Sequence, residues 1–166
     1  MLRRTFLNIL PAVPALVSGC TTTSGQQAAS EEGGETFEVT KTEAEWQKSL
    51  TAAQFRILRE EGTEPAFSSS LNDEHRRGTF QCAGCDLPVY SSETKFQSGT
   101  GWPSFTAPLP DAIRMKPDRS LFTVRTEVHC RRCGGHLGHL FDDGPPPTRK
   151  RYCMNGAAMT FTLLGS

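Results

Sequence analysis

The sequence has no net charge, no apolar run long enough to span a membrane and no internal repeat, and each absence narrows what it can be. Lysine and arginine number 18, and aspartate and glutamate also 18. The two signs are interspersed, so the basic stripe that neutralises nucleic-acid phosphates is missing and nucleic acid is not an expected partner. The most apolar stretch, Phe6 to Val17, falls short of the roughly 20 residues a helix needs to cross a bilayer. What the sequence does have is 15 glycines and 11 prolines, a composition that favours a loop-rich, strand-dominated domain over a helical bundle. At 166 residues a single core is expected, with at most one appendage.

The appendage is N-terminal. Arg3 and Arg4 followed by the short apolar stretch read as a targeting segment over residues 1–19. Arg3-Arg4-Thr5-Phe6-Leu7 resembles a twin-arginine export signal, and Leu16-Val17-Ser18-Gly19-Cys20 resembles a bacterial lipobox, whose cysteine is lipidated after cleavage. Cys20 is thus the expected lipid anchor. A buried cysteine after an amphipathic helix is the alternative, and Pro11 and Pro14 oppose that helix. Residues 20–41 are rich in Thr, Ser, Gly, Gln and Glu and cannot bury enough surface to offset ordering entropy, so a flexible tether is expected there. The folded domain is then 42–166, held in the bacterial cell envelope by lipid alone and facing the periplasm or exterior. Thr21, rather than an aspartate after the anchor, favours an outer membrane.

Within the domain, Thr42-Glu43-Ala44-Glu45 and Thr51-Ala52-Ala53-Gln54 have capping-box spacing, which predicts two short helices. Phe55, Ile57 and Leu58 give the second an apolar stripe, and Gly62 is placed to close it in a left-handed cap. Beyond Pro65, short apolar or alternating runs predict strands at Thr79–Gln81, Val89–Ser91, Leu121–Val128, Arg151–Asn155 and Met159–Leu163. In Leu121–Val128 the even positions are expected to face the core, with Arg125 and Glu127 facing away. The fold class is mainly β: two small antiparallel sheets with short N-terminal helices.

Six cysteines, at 20, 82, 85, 130, 133 and 153, sort by spacing. Cys82-x-x-Cys85 and Cys130-x-x-Cys133 have the spacing of two knuckles holding structural zinc through four thiolates. Two disulfides, or a redox C-x-x-C, are the alternatives in an exported protein. A redox motif should open a helix, whereas Pro88 follows one pair and a Gly/His run the other. Zinc is favoured. A twin-arginine route, which carries folded cargo, would allow the metal to be loaded in the reducing cytosol. Cys153 remains as the unpaired thiol, either inert and buried or reactive. Arg151, two residues earlier and on the same face of a strand, favours thiolate; His136 and His139 are candidate acids or bases.

The segments Gly62-Thr63-Glu64-Pro65, Cys82-x-x-Cys85, Ser98-Gly99-Thr100-Gly101-Trp102-Pro103-Ser104-Phe105, Cys130-x-x-Cys133 with the run on to Pro145, and Arg151-Tyr152-Cys153-Met154-Asn155 together resemble the type B methionine sulfoxide reductases. The likeness spans roughly Glu43 to Leu164. It implies reduction of the R epimer of methionine sulfoxide, free or in a peptide, with Cys153 as nucleophile. His136, His139, Asp143 and Asn155 are implied around the sulfoxide oxygen, with His139 the first candidate acid. Arg151 is implied as an orienting group, and Trp102 as an aromatic wall for the substrate methyl group. The same likeness implies a structural zinc remote from the reaction centre. Asp142 beside Asp143 makes two carboxylates compete for one role. One departure bears on mechanism: many members carry a resolving cysteine where this chain has Thr100. A sulfenic acid on Cys153 must then be cleared by an external thiol, from a thioredoxin-like domain or a small molecule. The expected partners are oxidised proteins or peptides and that reductant, and a monomer is the working expectation.

Overall fold

The structure, a computed structural model, describes residues 35–165. Cys20 and the segment expected to act as an export signal lie outside the described residues. The folded body starts at Glu35, ahead of the Thr42 boundary, so the last part of the expected tether belongs to the domain. The Glu35 carboxylate pairs with Arg114 and His129, Glu38 with Arg131, and the Val39 N–H donates to the Arg132 carbonyl at 2.9 Å. Composition cannot reveal such pairing, because each partner lies about 80 residues or more further along the chain.

Both helices form where the capping boxes place them. In α1 (Glu43–Ser49) the Thr42 side chain accepts from the Glu45 N–H, and Glu45 reaches back to the Thr42 N–H; Thr51 and Gln54 do the same for α2 (Ala52–Glu60). Each such cap typically contributes about 1 kcal/mol. The cap at the other end of α2 differs from expectation: Glu61, not Gly62, is left-handed, with φ 54°. Gly62 serves close approach instead, since a Cβ there would lie 2.7 Å from the Arg56 carbonyl oxygen.

Among the described residues nine strands build two antiparallel sheets: β1 (Gly78–Cys82), β2 (Pro88–Ser91), β3 (Lys95–Phe96), β4 (Ser104–Phe105), β5 (Ile113–Asp118), β6 (Arg125–Cys130), β7 (His136–Phe141), β8 (Arg151–Met154) and β9 (Met159–Leu163). The smaller sheet has the order β2-β1-β9 and the larger β3-β4-β8-β7-β6-β5. Their faces meet over Phe80, Tyr90 and Phe105, with the Tyr90 and Phe105 rings stacked at 4.3 Å and Phe80 edge-on to Phe105 at 5.0 Å. Helix α2 closes the core by burying Ile57 and Leu58.

The run Leu121–Val128 is only half strand. Leu121 to Val124 form an exposed loop, and Glu127, expected to face solvent, is buried because Lys116 and His136 both pair with it. Strand β7 gave no periodic signal because its first four residues are all buried. Gly138 is required there: a Cβ would sit 2.1 Å from the Cys153 carbonyl oxygen, so only glycine lets β7 and β8 lie this close.

Candidate active site

Antiparallel register assembles the site. Residues directly opposite in neighbouring strands carry their side chains on the same face. Cys153 on β8 stands opposite His139 on β7 and opposite Ser104 on β4, so the three form one row across the larger sheet. Over that row opens a cleft of about 140 Å³, lined by Thr63, Trp102, Arg125, Gly138, His139, Phe141, Cys153, Met154 and Asn155.

Cys153 is half-buried, and burial pushes its thiol pKa up. The positive charge of Arg151 opposes that shift, aided by the hydroxyls of Thr100 and Ser104. Those hydroxyls are tied together by Ser98, whose Oγ lies 2.9 Å from Thr100 Oγ1 and 2.8 Å from Ser104 Oγ. Thr100 therefore stands beside the thiol. The other thiols among the described residues are Cys82, Cys85, Cys130 and Cys133.

His139 is held from behind. Its Nε2 lies 2.8 Å from Asp118 Oδ2, and Arg125 Nη2 donates to that same oxygen at 2.5 Å. Burial lowers the His139 pKa, against the opposing pull of Asp118, so the ring is neutral at neutral pH. Asp118 stays ionised, its carboxyl pulled well below the usual range by Ser120, His139 and Arg125. His136 is placed differently. A bulge between Val128 and His129 brings its ring edge-on to His139, centroids 5.2 Å apart, but His136 does not line the cleft. Its Nδ1 lies 2.9 Å from Glu127 Oε1, and its buried Nε2 has no partner among the described residues.

Arg151 is buried, with its guanidinium over the Phe141 ring at 4.5 Å and a bidentate pairing to Asp143 at 2.8 and 2.9 Å. Asp143 itself is exposed and outside the cleft, so it acts on the site through Arg151. Asp142 pairs with Lys150 at the surface, whereas Asp143 reaches the buried Arg151. Asn155 lines the cleft while both ends of its amide are committed to backbone: Oδ1 accepts from the Glu64 N–H at 3.0 Å, and Nδ2 donates to the Leu137 carbonyl at 3.2 Å. Trp102 donates its indole N–H to the Glu64 carbonyl at 3.1 Å. Glu64 completes the arrangement, its buried carboxylate accepting from the Gly156 and Ala157 N–H groups at 2.6 and 2.8 Å.

The two C-x-x-C turns meet beside α2, whose Arg59 donates to the Cys133 carbonyl at 3.0 Å. Their four sulfurs lie within 4.8 Å of one another, with Cys82 and Cys133 at 3.7 Å and Cys85 and Cys130 at 3.5 Å. These separations exceed the roughly 2.05 Å of a disulfide. They match the about 3.8 Å edge of a tetrahedron with metal–sulfur bonds near 2.3 Å. Four mostly buried thiols converging at one point suit a soft divalent cation, which would offset the repulsion of their thiolates.

Sequence reasoning named Cys153, His139, Asn155 and Trp102, and the structure brings these together around the cleft. It assigned no role to Asp118, Glu64, Ser104 or Glu127. Glu64 lay within a quoted motif, and a buried carboxylate facing a turn is legible only once the turn is known. Asp118 carries no local signal, because its partner His139 is 21 residues away.

A family model described as the SelR domain matches residues 50–163. A peptide methionine sulfoxide reductase MsrB from Thiobacillus denitrificans is 52% identical over 122 residues, covering 73% of this chain and 92% of the relative. The protein of that name from Leptospira interrogans is 49% identical over 126 residues, 75% of this chain and 96% of the relative. The one from Methanosarcina barkeri is 51% identical over 124 residues, 74% and 87% respectively.

Proposed function

The chain belongs to the SelR-domain family of peptide-methionine (R)-S-oxide reductases, and on that premise we propose that it is a one-thiol enzyme built on Cys153. The observation that carries the reading is the pairing of Cys153 with His139 across β8 and β7, at the floor of a cleft walled by Trp102. The methyl group of the sulfoxide rests on the indole, which places its sulfur toward Cys153.

The resting site holds one mobile proton, since burial keeps the thiol protonated and the imidazole neutral. One proton is what the reaction needs. His139, with Nε2–H committed to Asp118, presents Nδ1 as the base that takes the thiol proton and passes it to the sulfoxide oxygen. Cys153 Sγ attacks the sulfoxide sulfur as thiolate, forming an Sγ–S bond while the oxygen takes the proton; passage of that hydroxyl to Sγ then breaks the substrate S–O bond and the new Sγ–S bond, leaving methionine and a Cys153 sulfenic acid. Methionine sulfur gains two electrons and Cys153 loses two, so no outside proton is consumed. Arg151 stabilises the transient thiolate, and Asp143 keeps Arg151 in place. An external thiol then attacks the sulfenic acid, expelling water, and a second thiol releases Cys153 as a thiol. Thr100 offers no sulfur for an internal disulfide.

The four-cysteine cluster is proposed to hold structural zinc, stapling β1–β2 to β6–β7 away from the cleft. Export and lipidation at Cys20 are part of the same proposal, supported by the twin arginines and the lipobox-like Leu16–Cys20. Labelling with a radioactive fatty acid tests the anchor, and a fully soluble, unlabelled product would refute it.

The decisive assay is epimer-resolved reduction of dabsylated methionine sulfoxide with dithiothreitol, alongside Cys153→Ser. Loss of the R epimer alone, abolished by the substitution, is the expected result. Unchanged turnover by Cys153→Ser would overturn the assignment of the nucleophile.

A further inference from the structure

The loop joining β5 to β6 leaves Leu121 and Val124 more than half exposed and Phe122 fully exposed. Single exposed apolar residues are ordinary, but such a group on one short loop marks a contact surface. Nothing in the fold needs these side chains, since none belongs to the core. Both ends of the loop, however, are fastened to the reaction centre. Asp118 ends β5 and holds His139; Arg125 begins β6, donates to Asp118 and lines the cleft. Ser120 fixes the turn by donating its N–H to Asp118 Oδ1 at 2.9 Å. The apolar tip is therefore carried on the rim of the cleft.

The cleft itself, at about 140 Å³, has room for a sulfoxide side chain and little more. The backbone of a polypeptide substrate must stay outside. An extended chain advances roughly 3.3 Å per residue, so neighbours two or three positions from the sulfoxide reach a rim loop. Phe67, 74% exposed, donates its N–H to the carbonyl of Gly101, next in the chain to Trp102.

We propose that the Leu121–Val124 tip is a docking surface for the polypeptide flanking the oxidised methionine, and that it selects extended segments with apolar residues beside the sulfoxide. The proposal rests on the reductase reading and deepens it by naming the substrate class.

The test compares the full-length protein with its Leu121→Ser/Phe122→Ser variant on three substrates: free methionine R-sulfoxide, a peptide with Leu and Val around the sulfoxide, and one with Ser and Gly there. The variant should lose about tenfold in kcat/KM on the apolar peptide, through KM, and change less than about twofold on the other two. Phe122→Leu should restore most of the loss. Equal losses on all three substrates, or none on the apolar peptide, would overturn the proposal. So would intact peptide discrimination with lost binding to phosphatidylcholine vesicles, which would make the tip a membrane contact. Failure of the unaltered protein to reduce any sulfoxide would instead sink the reductase reading, and the substrate proposal with it.

Discussion

Asp118 Oδ2 lies 2.8 Å from His139 Nε2, a contact that reaches from β5 across β6 to β7. It fixes the imidazole tautomer from outside the cleft, leaving Nδ1 as the free base. Asp118→Asn removes the charge that stabilises the transient imidazolium and lets the ring choose the other tautomer. We expect kcat to fall roughly 10- to 100-fold with KM little changed. Without the carboxylate the His139 pKa drops further, so the acid limb of the kcat profile should move to lower pH. A kcat within about twofold of the parent would remove Asp118 from the mechanism.

The Arg151 guanidinium is the largest influence opposing the burial-raised pKa of Cys153. Arg151→Gln should raise that pKa further, and the thiolate fraction at a given pH below it falls tenfold for each unit gained. The rate of iodoacetamide alkylation at pH 7 is expected to drop about three- to tenfold, with the alkylation profile displaced to higher pH. Asp143→Asn, which only releases Arg151, should do the same more weakly. If Asp143→Asn slowed alkylation more than Arg151→Gln, Asp143 would have a direct role that its exposed position outside the cleft does not provide.

How much of this was legible beforehand depends on whether the signal is local. The two C-x-x-C pairs announced a metal site because ligand spacing is a property of each turn, and the capping boxes of α1 and α2 are likewise complete within four residues. Arg151 next to Cys153 was readable for the same reason. The row His139–Cys153–Ser104 was not, because it exists only through the pairing of β7, β8 and β4. Strand β7 hid itself by being buried on both faces, and Glu127 defied the alternation of β6 because Lys116 and His136 both pair with its carboxylate in the interior. Asp143 was expected around the sulfoxide oxygen; it does not line the cleft, and its carboxylate pairs with Arg151.

Glu64 ties three parts of the site together. Its carboxylate caps the Gly156–Ala158 turn, its N–H is received by Asn155, and its carbonyl receives the Trp102 indole. In Glu64→Gln one carboxylate oxygen becomes an NH2 group that faces a backbone N–H, leaving a buried donor unsatisfied. The cost is about 1–3 kcal/mol. Thermal unfolding should shift down by several degrees, and KM for methionine sulfoxide should rise as the Trp102 wall loosens. A variant with unchanged melting and unchanged KM would show that the turn is held by other contacts.

Thr100 stands close enough to Cys153 for its hydroxyl to favour the thiolate, and no other thiol outside the four-cysteine cluster is among the described residues. In the parent protein the sulfenic acid should therefore persist long enough to be trapped by dimedone on Cys153. With Thr100→Cys, a second sulfur beside the first is expected to attack it, release water and close a disulfide. Peptide mapping of the oxidised variant should show positions 100 and 153 joined, dimedone labelling should fall, and a dithiol reductant should become a better donor than a monothiol. Trapping of equal sulfenic acid in both proteins would mean that the Ser98–Ser104 hydroxyl cluster holds position 100 too far from the reacting sulfur, and a one-thiol cycle would then follow from geometry as well as from the residue itself.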